Sequence, residues 1–70
     1  MTHRNQIDIL KALASFESNP KRLEHINEAI EIIEHSWQEW LQPGHQVKAM
    51  ELDNKATGIL DALQINHNFT

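Results

Sequence analysis

The side chains of this sequence that could take part in chemistry are histidines and carboxylates, and their best local grouping lies near the middle of the chain. Glu31, His35 and Glu39 follow one another at intervals of four residues. On a helix this spacing places all three along one face, where two carboxylates and an imidazole could share a divalent ion. The Glu-x-x-His spacing of di-iron helical bundles is absent, and a solvent-facing site lacks a dry surrounding shell. We therefore predict no metal and no other cofactor.

Motifs typical of catalysis are missing as well. The chain has no cysteine, and it carries neither a glycine-rich phosphate loop nor a Ser/His/Asp arrangement in a recognisable context. A core built from 70 residues has little room for a ligand pocket of a few hundred Å³. We predict that the protein is not an enzyme.

Negative charge is concentrated in residues 23–41. The chain has a net charge of −4, and this segment contains five glutamates and no lysine or arginine. At about 100° per residue the glutamates share the helix side opposite the apolar stripe. We call them the glutamate ridge: Glu24, Glu28, Glu31, Glu34 and Glu39. The ridge is either a solvated face or a docking surface for a basic protein. Direct binding to nucleic acid is disfavoured, because it needs clustered Lys and Arg.

Three helices must position these residues. Apolar side chains recur at steps of three and four along nearly the whole chain, which predicts helices at residues 3–18, 20–42 and 46–65 and a frayed tail at 66–70. Asn19 and Pro20 are typical of a helix start, and Pro43 with Gly44 ends the second helix. Ile9 and Phe16 are expected to widen the core face of the first helix. Short connections favour antiparallel neighbours, so we predict an all-α, up-down-up bundle dominated by the hairpin of helices 2 and 3, in one domain spanning residues 1–70.

The small size of the chain favours self-association. A chain of this length buries only about 60% of its unfolded surface, and without cysteine it has no disulfide to compensate. We expect a homo-oligomer, with a dimer favoured. The first ten residues lack the apolar core of a signal peptide, and no run approaches the ~18 apolar residues of a membrane span. We therefore expect a soluble cytoplasmic protein without a membrane partner.

The far end of helix 2 is the expected binding surface. Helix 1 turns back at Asn19 and is too short to cover that end, and helix 3 alone covers an arc too narrow to bury two indoles. Tryptophan is among the residue types enriched at interface hot spots. We call the expected surface the apolar patch, and its residues are Trp37, Trp40, Leu41, Val47 and Met50. The alternative is that both indoles complete the intramolecular core against helix 3.

Two functions from different classes follow from these features. The first is a small regulatory protein, a non-enzymatic interaction module or adaptor that self-associates and binds a protein partner through the apolar patch. The second is an acidic inhibitor that uses the glutamate ridge to occupy a basic site, for example a nucleic-acid-binding site, on a target protein. Ionic strength separates them, because ridge binding weakens steeply with salt and apolar association does not.

Overall fold

The computed structural model describes residues 3–65, with side chains from residue 5 onward. It contains three helices, α1 (His3–Phe16), α2 (Pro20–Trp40) and α3 (Gln46–Ala62). The described residues are 82% helical and include no strand. The helix α2 packs closely against α3 and less extensively against α1. The predicted all-α bundle with a dominant α2–α3 hairpin is confirmed, whereas the predicted tail at 66–70 lies outside the described residues.

The start of α2 follows from local chemistry. The Asn19 side-chain oxygen accepts hydrogen bonds from the backbone N–H groups of Lys21 at 3.0 Å and Arg22 at 3.3 Å, and Pro20 occupies the first helical position. These bonds satisfy N–H groups that have no partner inside the helix. The predicted start of α2 is confirmed.

The helix α1 ends at Phe16, two residues before the predicted end at Ser18. The next residue, Glu17, uses its carboxylate outside the helix: Oε1 accepts from the backbone N–H of Asn19 at 3.3 Å, and Oε2 accepts from Nε of Arg22 at 3.1 Å. These bonds fix the turn between the two helices in place of another helical turn.

The connection between α2 and α3 is a tight turn. Leu41 caps α2, and its backbone N–H donates to the carbonyl of Gln38 at 3.2 Å. Gly44 has a φ of +81°, a conformation that a residue with a Cβ rarely adopts. His45 precedes the first residue of α3, but its ring makes no capping hydrogen bond. The imidazole is therefore available to the neighbouring end of α2.

The end of α3 lies at Ala62, three residues before the predicted end at 65. Gln64 adopts a left-handed conformation with φ of 59°. Its N–H donates to the carbonyl of Asp61, and that of Ile65 donates to the carbonyl of Leu60, both at 3.0 Å. This is a Schellman motif. Nη1 of Arg22 also donates to the Leu63 carbonyl at 2.8 Å, which ties the end of α3 to the start of α2.

The core lies where all three helices contribute apolar side chains. Its buried members are Ile7, Leu10, Ile26, Ala29, Ile30, Ile33, Ala56 and Leu60. The expectation that Ile9 and Phe16 widen the core face of α1 is wrong, because Phe16 is 87% exposed and Ile9 is 40% exposed. A helix at the edge of a bundle buries one stripe, and Ile7 and Leu10 already fill it.

Candidate protein-interaction site

The apolar patch lies where α2 turns into α3. Its two indoles are each 37% exposed, and Leu41, Met50 and Val47 are 65%, 54% and 71% exposed. The core cluster ends at Ile33 on α2 and contains none of these five residues. The structure therefore places all five predicted residues at one end of the hairpin, outside the core.

The two indoles are only partly covered within one chain. Nearly two-thirds of the surface of each tryptophan is covered within one chain, which is more than we expected from an end left to one helix. The remaining third stays exposed at the end of the hairpin that also carries Leu41, Val47 and Met50. Neither tryptophan belongs to the core cluster, and an interface at this end remains a prediction.

A network of polar side chains, centred on one buried hydroxyl, links α2 to α3 at this end of the hairpin. Ser36 is fully buried on α2, and its hydroxyl donates to Oδ1 of Asp53 on α3 and lies 3.2 Å from the carbonyl oxygen of Ala49. The other carboxylate oxygen, Oδ2, accepts from Nε1 of Trp40 at 3.0 Å. One carboxylate on α3 thereby fixes two side chains of α2, and it limits the orientations open to the exposed indole.

Sequence reasoning missed Ser36 and Asp53, although the sequence contained a signal for both. Ser36 is three residues after Ile33 and four before Trp40, so it lies on the apolar stripe of α2. Asp53 is likewise four residues after Ala49 and three before Ala56 on α3. A hydroxyl and a carboxylate on two facing apolar stripes indicate a hydrogen-bonded pair, because buried polar groups need partners.

Glu39 does not share the surroundings of the other ridge glutamates. Its side chain is 12% exposed and lies close to one lysine and two histidines. Nδ1 of His45 lies 2.6 Å from Oε2, and Nε2 of His35 and Nζ of Lys48 lie 3.3 and 3.6 Å from Oε1. The hydrogen bond with His45 is the main reason that the pKa of Glu39 lies below its usual value. The charges of Lys48 and the two histidines lower this pKa further, and burial partly opposes the shift.

The other four ridge glutamates, Glu24, Glu28, Glu31 and Glu34, are exposed. None of them forms an ion pair within residues 5–65. In particular, Glu31 does not join His35 and Glu39. Among the described residues, no group of three His, Cys, Asp or Glu side chains is arranged to hold a metal ion. Without Glu39, the ridge is a row of four solvent-exposed carboxylates.

Two grooves open to solvent lie on the surface. One, of about 520 Å³, follows the ridge side of α2 and is lined by Pro20, Leu23, Asn27 and three ridge glutamates. The other, of about 370 Å³, lies between α2 and α3, with Ile59, Ala62 and Leu63 among its apolar lining. Both volumes exceed what we expected from so short a chain, because the grooves are surface depressions rather than space inside the core.

Comparison of the chain with protein-family models, curated proteins and solved structures gives no match. Within residues 3–65, none of the three helices has both the length and the apolar character needed to cross a membrane.

Proposed function

We propose that this protein is a non-enzymatic protein-interaction module, and that the apolar patch is its interface. The observation that carries this proposal is the exposure of five large apolar side chains at the hairpin end, none of which belongs to the core cluster. The network of Ser36, Asp53 and Trp40 adds support, because a surface whose indole is already oriented loses less freedom when it binds. In this proposal the chain is a small regulatory protein of the cytoplasm.

The size of the patch supports an interface. At about 150–250 Å² for each aromatic side chain and somewhat less for each aliphatic one, the five exposed fractions sum to on the order of 500 Å² of apolar surface, divided between the end of α2 and the start of α3. The largest apolar patch on a typical monomer is about 300–600 Å². Two copies meeting through this patch would bury roughly 1,000 Å² before any polar rim is counted, close to the lower limit of a specific interface. We propose that, when no other partner protein is present, two chains form a two-fold dimer through this patch.

Sedimentation or light scattering tests this interface. The variant Leu41→Ser, Val47→Ser removes two strongly exposed side chains and leaves both indoles in place, so it should fold. The matched control Ile9→Ser, Phe16→Ser removes exposed apolar surface from α1. At tens of micromolar, where a micromolar dimer is largely formed, the wild type and the α1 control should have the mass of a dimer, and the patch variant that of a monomer.

Other outcomes would contradict a dimer through the patch. A monomeric wild type would rule out self-association in this concentration range. Loss of the dimer in the α1 control alone would place the self-interface on the outer face of α1.

A second function, an acidic inhibitor of a basic protein site, is favoured by the four ridge glutamates without ion pairs. Three of them, Glu24, Glu28 and Glu31, line an open groove beside Leu23, so a basic segment could meet both carboxylates and apolar surface there. If this function holds, Glu24→Gln, Glu28→Gln, Glu31→Gln should abolish capture of the target at 50 mM salt, and the patch variant should retain it. The reverse result would favour the apolar patch.

A further inference from the structure

The smaller of the two grooves is formed by both helices of the hairpin. It lies between the start of α2 and the second half of α3, away from the turn that carries the apolar patch, and none of its described lining residues belongs to α1. We call it the lateral groove. Its apolar lining comes from α3 and consists of Gly58, Ile59, Ala62 and Leu63.

The two walls of the lateral groove carry opposite charges. Glu28 lines it from α2, and Lys55 lines it from α3. Both side chains are exposed, and neither forms an ion pair with another described residue. The remaining polar lining residue is His25, one helical turn before Glu28. The groove thus presents a carboxylate on one helix and an ammonium group on the other.

Neighbouring charges outside the lateral groove change this pattern only in part. Glu24 and Glu31 lie one turn to either side of Glu28 and add to the negative charge of α2. Glu51 lies one turn before Lys55 and partly offsets the positive charge of α3. None of these three glutamates lines the lateral groove. A surface docked in the groove therefore meets Glu28 and Lys55 directly.

This charge pattern is self-complementary under two-fold symmetry. A two-fold axis parallel to the helices sets α2 of each chain against α3 of the other, and because α2 and α3 are antiparallel within one chain, these new neighbours are antiparallel as well. The four helices then have the arrangement of an up-down bundle. Glu28 of each chain faces Lys55 of the partner subunit, so the ion pair forms twice. Opposite charges across an interface fix its register and exclude wrong partners.

The apolar lining permits a close approach by another helix. Gly58 and Ala62 are one turn apart and exposed, so no long side chain separates them from a docked surface. A Cβ added at Gly58 would lie in open space among the described residues, and Gly58 does not have a positive φ. Neither packing within the described part of the chain nor backbone conformation therefore requires glycine here, although glycine is unfavourable inside a helix. Small residues let two helices pack closely.

We propose that the lateral groove is a second self-interface, in which another copy of the chain docks about a two-fold axis and exchanges two ion pairs between Glu28 and Lys55 of the partner subunit. This interface is separate from the apolar patch, and it joins patch dimers to one another. Ile59 and Leu63 are already partly buried against the core, so the groove has little apolar surface left to bury. We therefore expect a dissociation constant on the order of 1 mM, above the range in which the patch dimer forms.

The variant Leu41→Ser, Val47→Ser isolates the groove contact, because it removes the apolar patch as a self-interface. Sedimentation at about 50 mM salt should show this variant passing from monomer toward dimer between about 0.05 and 2 mM chain. Raising the salt concentration to about 500 mM should weaken the pairing, since exposed ion pairs are screened. A variant that stays monomeric at about 2 mM would overturn the inference.

Charge reversal in this background tests the ion pairs. Glu28→Lys raises the net charge of −4 by two, and Lys55→Glu lowers it by two. Each substitution nevertheless sets like charges against each other at two places, so each should raise the dissociation constant about five- to twentyfold. The double variant Glu28→Lys, Lys55→Glu should pair as its parent does.

An equimolar mixture of the two single variants should also pair, because one chain then carries lysine at both positions and the other carries glutamate at both. Recovery in the double variant without recovery in the mixture would mean that the two charges interact within one chain, and the inference would be wrong. Stronger pairing of Glu28→Lys than of its parent would show that association follows net charge, which also contradicts it.

Filling the lateral groove gives a test that does not depend on charge. In the same background, Gly58→Leu places a side chain in open space and replaces glycine with a better helix former, so it should fold at least as stably and yet block the second copy. Ala12→Leu places a leucine at an exposed position of α1 and is the matched control, which should pair as its parent does. Circular dichroism checks the fold of both variants. If Gly58→Leu still pairs like its parent, a second copy does not occupy the lateral groove.

Discussion

Asp53 links the stability of the hairpin to the orientation of the candidate surface. Its carboxylate accepts from a buried hydroxyl through one oxygen and from the indole of Trp40 through the other. Removing Asp53 costs free energy, because the Trp40 N–H loses its acceptor and the Ser36 hydroxyl keeps only the more distant Ala49 carbonyl. At the residue scale, the surface and the fold therefore depend on the same side chain.

Replacing Asp53 with alanine should lower the free energy of unfolding by about 1–3 kcal/mol, since it leaves the Ser36 hydroxyl and the Trp40 N–H without this acceptor. Ser36→Ala should cost less, about 1 kcal/mol, because it removes the buried donor together with its bond. Urea titration measures both variants, and the exposed neighbour substitution Asn54→Ala is the control. A loss in Asp53→Ala no larger than in Asn54→Ala would show that the network contributes little to stability.

Glu39 should make the turn between α2 and α3 sensitive to acid. Its pKa is lower in the folded chain than the value of about 4.3 expected when it is unfolded. A carboxylate whose pKa is lower in the folded chain than in the unfolded chain adds to the free energy of unfolding above the unfolded pKa. This contribution is lost as the pH falls through the folded pKa. Wild-type stability should therefore fall between about pH 5 and pH 3 by more than that of Glu39→Gln.

Urea titrations at pH 7, 5 and 3 check this difference, with Glu31→Gln as the control because Glu31 forms no ion pair among the described residues. That control should follow the wild type. If Glu39→Gln loses as much stability as the wild type over the same range, the contacts of Glu39 with His35, His45 and Lys48 do not stabilise the fold.

At the scale of the elements, the end of α3 contains one residue in a sterically unfavourable backbone conformation. Gln64 holds the left-handed conformation that glycine adopts without a steric penalty. Gln64→Gly should therefore stabilise the chain by about 0.5–1 kcal/mol, the steric gain being partly offset by the greater freedom of glycine when unfolded. Thermal unfolding tests this, and Gln64→Ala, which removes the same side chain and keeps the Cβ, should give no gain. A destabilised glycine variant would indicate that the Gln64 side chain makes a stabilising contact.

The ridge of α2 should tolerate the loss of its charge. Glu28, Glu31 and Glu34 are exposed, form no ion pair among the described residues and lie three residues apart. Their mutual repulsion costs a few tenths of a kcal/mol per pair. Glu28→Gln, Glu31→Gln, Glu34→Gln should keep its helical circular dichroism and unfold at an equal or slightly higher urea concentration. Marked destabilisation would reveal cations that pair with these residues across a subunit boundary.

The sequence was sufficient for elements whose limits are set by neighbouring residues. Asn19 and Pro20 start α2 by local hydrogen bonding and ring geometry. The predicted end of α2 at residue 42 lies two residues too far, because α2 ends at Trp40 and Leu41 already caps it ahead of Pro43 and Gly44. The end of α3 was misjudged because it depends on a left-handed Gln64 and on a bond from Arg22 to the carbonyl of Leu63, 41 positions away. Helical periodicity carries no information about such distant contacts.

At the scale of the whole molecule, unequal helix lengths create the candidate site. The chain folds into an elongated body of 39 × 18 × 17 Å, and α1 has 14 residues against 21 in α2. The exposed hairpin end could be predicted from those lengths alone. The contacts of Glu39 and the partners of Asp53 could not be predicted from the sequence. Both depend on the register in which α3 packs against α2, and the same apolar residues could be buried in more than one register.

A dimer held by the apolar patch should make thermal stability depend on concentration. Association stabilises the folded chain by mass action, and for a domain of this size each kcal/mol raises the midpoint by about 4–8 °C. Raising the chain concentration a hundredfold, from about 2 to 200 µM, should therefore raise the unfolding midpoint by several degrees if the dissociation constant is micromolar. Leu41→Ser, Val47→Ser should unfold at one temperature throughout, and Ile9→Ser, Phe16→Ser should keep the dependence. A wild-type midpoint that stays constant over this range would mean that the single chain accounts for all of the stability, and that the patch is left open for a different protein.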